Sequence, residues 1–143
     1  MNIPKRGILS PLSPEIPLGT RLAEAAAEMP DAPAILEGTS AITYGELERL
    51  SARIASILLS GMGQEKQPVA VLCSGSMSAL AALFGALKAG RPYCLLAPFL
   101  PEARIIGILK DLGNGDILSD LRTMRRLEGK AGSPGRRILA VDA

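Results

Sequence analysis

Side chains able to do chemistry are few in this 143-residue sequence, and their types restrict what that chemistry could be. The absence of histidine removes Ser-His-Asp and Cys-His nucleophiles, histidine general bases and nearly every zinc site together. The two cysteines, Cys73 and Cys94, lie in apolar stretches. Cys73 has neither a histidine partner nor a nearby Lys or Arg to lower its pKa, so both thiols read as buried structural groups, with no disulfide expected. The 14 acidic residues are scattered over surface-like positions, and no pair stands out for acid–base work.

Phosphate-binding patterns fail one by one. Gly61-x-Gly63 leads to Lys66 and Gly113-x-Gly115 to Leu118, so no dinucleotide fingerprint exists. Gly85 to Pro92 is a near miss for a phosphate loop, with Arg91 in place of the Lys and Pro92 in place of the magnesium-binding Ser or Thr. It also reads as helix, whereas a phosphate loop needs free backbone donors between strand and helix. Ser74-Gly75-Ser76 is better placed, and its donors could hold an anion. The plainer reading is a tight turn with Ser76 capping the next helix. Arg122, Arg125, Arg126, Lys130, Arg136 and Arg137 cluster near the end, but a net charge of +2 points to a solvated face and no nucleic-acid partner. No residue is therefore assigned as catalytic, cofactor-binding or metal-binding.

The elements that carry these residues alternate. Residues 1–17, with four prolines and no apolar h-region, read as an extended arm without a secretory signal. A helix is expected from Gly19 to Met29, ended by Pro30. Ala34-Ile35-Leu36 and Ala41-Ile42 form short strands around a turn at Gly38-Thr39-Ser40. Thr43 and Glu46 then make a capping box for a helix bearing Leu47, Leu50, Ile54, Ile57 and Leu58, with Gly61 as its C-cap. Val69–Leu72 reads as a strand covered on both faces. A helix follows to Ala89, its alanines and Gly85 allowing close packing on a sheet, with Gly90 ending it. Tyr93–Leu96 and Asp116–Leu118 are further strands, with a helix between them on Ile105, Ile108, Leu109 and Leu112. A weaker helix covers Leu121–Leu127, Gly129 to Gly135 is a loop, and Ile138–Val141 is the last strand. The sum is an α/β chain, a mainly parallel sheet with helices on both faces. Gln67 to Leu87 carries no charge, yet Pro68 and the Cys73–Ser76 break make it strand, turn and helix; no membrane partner is expected.

Two segments resemble a known family. Ile42-Thr43-Tyr44-Gly45-Glu46-Leu47, behind the lead-in Pro30–Ile35, resembles the Thr-Tyr-x-Glu-Leu opening motif of adenylate-forming enzymes. Leu87-Lys88-Ala89-Gly90-Arg91-Pro92-Tyr93, running on through Leu96, Pro98, Pro101, Arg104, Ile105, Leu109 and Asp111, resembles the pattern of peptide-synthetase adenylation domains. The likeness covers Leu18 to Val141. It departs at Leu95, where that pattern has Pro, and at Ala97, where it has Asp.

The resemblance implies the N-terminal subdomain of the adenylate-forming fold, with 18–143 a truncated N-terminal part of an AMP-binding domain. Its parent would be an ATP-dependent ligase that activates a carboxylic, most simply an amino, acid as acyl-AMP in the cytoplasm. ATP and Mg are cofactors of that parent. In the family, the phosphate loop, the aromatic-Thr-Glu segment, the ribose-binding Asp and the catalytic Lys match no position here, so no site residue is carried over. No cofactor is expected on this chain alone. The chain stops after an apolar strand, where a parallel-sheet unit would return to a helix, and so reads as cut. The expected partner is the missing remainder of the domain or a second copy, through an exposed apolar patch. The alternative is a stand-alone, non-catalytic α/β interaction module.

Overall fold

A computed structural model describes residues 15–61, 66–130 and 136–142. The expected arm lies outside the described residues up to position 14, as does the loop over 131–135. Pro17 opens helix α1 (Leu18–Glu28), whose Leu22, Ala25 and Ala26 are buried. β1 (Pro33–Glu37) and β2 (Ser40–Thr43) pair antiparallel around Gly38, which sits at φ +60. Thr43 then caps α2 (Tyr44–Leu59) through a complete capping box. The Glu46 N–H donates to Thr43 Oγ1 at 3.2 Å, and the Thr43 N–H donates to Glu46 Oε2 at 2.8 Å.

β3 (Val69–Leu72) is buried along its whole length. It feeds α3 (Ser76–Lys88) and then β4 (Tyr93–Leu95). α4 (Glu102–Asp111), β5 (Ile117–Ser119), α5 (Leu121–Leu127) and β6 (Ile138–Ala140) complete the order. β3 to β6 form one parallel sheet in the order β4-β3-β5-β6. Val69 and Val71 point to one face, where they pack with Leu22 of α1, Leu47, Ile54 and Leu58 of α2, and Ala81, Ala82 and Ala86 of α3. Ala70, Leu72 and Ile117 point to the other, against Ile105 and Leu109 of α4 and Leu127 of α5. Helices thus cover both faces, as the alternation of patterns requires. Each fully buried Leu or Ile stabilises the fold by roughly 1.5–3 kcal/mol.

Helix ends decide several local readings. α3 closes on a complete Schellman motif. Gly90 has φ +66, its N–H donates to Leu87 O at 3.0 Å, and the Arg91 N–H donates to Ala86 O at 3.0 Å. α2 differs from expectation: its C-cap is Ser60 in the αR region, and Gly61 is not left-handed. Gly61 instead supplies room, since a Cβ there would come within 2.8 Å of the Arg137 guanidinium carbon. Gly85 likewise serves a contact other than the sheet. A Cβ on it would meet Ile54 Cβ at 2.7 Å and Ser51 O at 3.3 Å, so it sets the spacing between α2 and α3. The uncharged stretch 67–87 is strand, turn and helix, and among the described residues no helix is long and apolar enough to cross a membrane.

Candidate functional site

In an open parallel sheet, ligands bind beyond the carboxyl ends of the strands where the strand order reverses. Here β3 leads outward to β4, and the chain then returns past β3 to β5, so the switch point lies between β3 and β5. Ser74, after β3, and Asp120, after β5, face each other across it. Asp120 Oδ2 accepts from both the backbone N–H and the hydroxyl of Ser74, the latter at 2.8 Å. Its Oδ1 accepts from the Thr123 N–H at 2.7 Å and thereby caps α5. Burial pushes the Asp120 pKa up, but the donors of Ser74 and Thr123 together outweigh it and hold the carboxyl below its ordinary value. Ser119 Oγ donates to Leu72 O at 2.7 Å, and the Leu121 N–H donates to Asp142 Oδ1 at 2.8 Å. The crevice is tied shut by its own carboxylates. A groove of about 310 Å³ remains outside it, between Ser74, Pro98, Phe99, Arg122 and Arg126.

The lesser reading of Ser74-Gly75-Ser76, backbone donors that hold an anion, fits the start of α3, and the anion comes from the chain itself. The N-cap of α3 is Gly75, not Ser76, and no side chain of the turn caps the helix. The N–H groups of Ser76 and Met77 donate instead to the Glu37 carboxylate of β1, at 2.7 and 3.4 Å. The Ser76 donor holds the Glu37 pKa below 4.5. A carboxylate at a helix N-terminus is the favoured charge arrangement, and here it fastens the hairpin to the sheet layer.

The remaining candidates make contacts within the chain. Cys73 is buried; desolvation, with Asp120 close by, pushes its pKa up to about 12, so it is no nucleophile at neutral pH. Cys94 is half-buried, and both thiols are free. The near-miss phosphate loop is the end of α3, and its last donors are used in the Schellman motif. Arg91 turns inward, donating to Gln67 O from Nε and Nη2 at 2.9 and 2.7 Å and to Asp116 at 3.3 Å. The basic cluster disperses: Arg126 binds Pro98 O, Lys130 binds Glu102, Arg136 binds Leu109 O and Arg137 binds Asp116. Lys88, in the second motif, reaches Glu48 at 2.8 Å and Gly19 O at 3.3 Å, joining α3 to α2 and α1. Among the described residues no three His, Cys, Asp or Glu side chains are grouped to hold a metal.

Glu37, Asp116 and Asp120 were not singled out from sequence. Asp120 has a readable signal, an Asp placed between a strand and a helix, where its carboxylate can accept from the N–H three residues on. Glu37 and Asp116 had none, because their partners are brought by the sheet.

A parallel sheet entered through a hairpin and a capped helix has the fold of the N-terminal subdomain of adenylate-forming enzymes. The family model for AMP-binding enzymes matches residues 22–141, and the chain belongs to that family. It is 37% identical over 99 residues to peramine synthetase A of Epichloe festucae, an alignment spanning 68% of this chain and 4% of that synthetase. The nonribosomal peptide synthetase FmoA3 in its AMPPNP-bound form superposes with a TM-score of 0.81 at 28% identity, over 94% of this chain and 14% of that one. The N-terminal subdomain of NpsA from Klebsiella oxytoca shares the fold, with a TM-score of 0.68 at 20% identity over 88% of this chain and 32% of that one. The adenylation-domain reading of the two motifs is thereby upheld.

Proposed function

We propose that this chain is the scaffold-forming N-terminal segment of an ATP-dependent ligase that activates an amino acid as its acyl-AMP, and that it does not carry out that reaction alone. The observation behind this is what the motif residues do. Thr43 and Glu46 cap α2, Lys88 joins three helices, and Ile105 and Leu109 fill the core. Among the described residues, the backbone donors at the start of α3 and at the β3–β5 crevice are taken by Glu37 and Asp120. Adenylation requires groups that neutralise phosphate charge during attack on the α-phosphate, and this reading assigns them, with ATP and Mg, to the remainder of the domain. Two free thiols support a cytoplasmic setting.

Carboxylate-dependent exchange of pyrophosphate into ATP tests the reading. No exchange is expected from the chain alone, and exchange is expected when the remainder of an adenylation domain is supplied in trans. Exchange by the pure chain would end it. The same internal occupation of both sites favours a second reading, a non-catalytic interaction module, which predicts no rescue by any added remainder.

A further inference from the structure

We infer that the outer edge of β4 is a self-pairing surface, through which two copies of this chain join their sheets antiparallel about Cys94. β4 is a terminal strand, and among the described residues only β3 pairs with it. The Val69 N–H donates to Pro92 O and the Leu96 N–H donates to Val71 O, both at 2.8 Å. In a parallel ladder this alternation turns Pro92, Cys94 and Leu96 toward β3. It leaves the N–H and C=O groups of Tyr93 and Leu95 directed away from the sheet. The two residues are 41% and 56% exposed, and Phe99 just beyond is 85% exposed.

Natural edges are protected by charge, proline or a bulge. Residues 92–101 hold no charged side chain, and the two positions whose donors point outward are not proline. The opposite edge, β6, keeps Ile138, Leu139 and Ala140 half-buried.

The occupant follows from register. Placing Cys94 opposite Cys94 of a second copy sets Tyr93 against Leu95 in both directions. Each such pair exchanges two backbone hydrogen bonds through the outward groups. The apolar side chains then meet on one face with no charge opposed. Cys94 falls at a pair that makes no hydrogen bonds, where Cα atoms approach to about 4.5 Å, within the span a disulfide accepts.

Sedimentation velocity on the 143-residue chain over a wide concentration range is the test. A monomer–dimer equilibrium is expected, weakened on the order of tenfold or more by Leu95→Pro, which removes the outward donor from both copies. Pro is the residue the family pattern carries there, so the fold accommodates it, and circular dichroism verifies this. Leu95→Lys, a charged edge, is the second variant and should weaken the dimer likewise. Diamide, itself reduced to the hydrazine as it takes the two thiol hydrogens, should link the wild-type dimer. Cys94→Ser abolishes the link, and Cys73→Ala does not. A monomer at every concentration, an open-ended polymer, a dimer that survives both Leu95 variants, or a cross-link independent of Cys94 would overturn the inference.

Discussion

Asp116 and Arg91, 25 residues apart in sequence, form a 3.3 Å ion pair in which neither side chain reaches solvent, at 0% and 2% exposure. Arg137 closes the same carboxylate from the other side, with Nε on Oδ1 at 2.8 Å and Nη2 on Oδ2 at 2.9 Å. Arg91 follows the C-cap of α3, Asp116 immediately precedes β5 and Arg137 immediately precedes β6, so one carboxylate joins three crossings at the amino ends of the strands. Donating to the Asp116 carboxylate raises the Arg137 pKa, and Arg137 Nη1 also donates to Ile57 O, near the end of α2, at 3.3 Å.

Removing the shared acceptor leaves two guanidinium groups facing each other, one of them fully buried. Asp116→Ala should therefore cost about 3–5 kcal/mol, the range for breaking a buried pair by deleting one partner. Urea unfolding measures it. A loss below about 1 kcal/mol would show that water reaches Arg91 and that the triad is not closed.

The spacing of α2 and α3 gives a second expectation. Because a Cβ on Gly85 would meet Ile54 Cβ at 2.7 Å, Gly85→Ala should destabilise by about 1–3 kcal/mol despite the higher helix propensity of Ala. Combining it with Ile54→Ala removes the Ile54 Cγ2 that a Cβ on Gly85 would meet first, so the double variant should be less destabilised than the sum of the singles. Additive losses would mean that the two side chains do not compete for the same space.

Thiol reactivity separates the cysteines. Cys73 is buried with its pKa pushed up to about 12, and its Sγ donates to Leu118 O at 3.9 Å. Cys94 is half-buried on the edge strand. At pH 8 an aromatic disulfide reagent should titrate one thiol in the native protein and the second only on unfolding. Cys94→Ser should remove the native signal. Two equally fast thiols would contradict the burial of the β3 end.

The parts of the fold that sequence makes legible are those whose partners lie close in the chain. Thr43 and Glu46 are three residues apart, and the capping box they form is as anticipated. Gly90 marks the end of α3 because a left-handed residue there needs no partner at all. The bonds that shape the candidate site are of another kind. Glu37 to Ser76 spans 39 residues, and Ser74 to Asp120 spans 46. Both depend on which strand lies beside β3, and local pattern carries no information on strand order. For the same reason Ser76 reads as a cap from its neighbours, whereas the charge at that helix end comes from a hairpin far upstream. Arg91 is misleading in a similar way: beside Gly90 it invites comparison with a phosphate-binding Lys, while its donors are taken up by Gln67 O and the buried Asp116.

The Glu37 contact makes stability depend on pH in a direction that can be worked out. The donors at Ser76 and Met77 lower the Glu37 pKa in the folded chain below 4.5, its ordinary value. A depressed carboxyl contributes stability above its unfolded pKa and loses it as pH falls through the folded value. The contribution is therefore complete at neutral pH, begins to decline near 4.5 and continues to decline below it. Glu37→Gln keeps the shape of the side chain and removes the charge at the α3 N-terminus, where a negative group is favoured. Thermal melts of the wild type and Glu37→Gln between pH 7 and pH 3 should show the variant less stable at pH 7, with the gap closing through the acid range. Asp120, also held below its ordinary value, keeps its own acid dependence in both proteins and cancels in the difference. A gap that stays constant down to pH 3 would mean that Glu37 acts through packing and that its charge at the start of α3 contributes nothing.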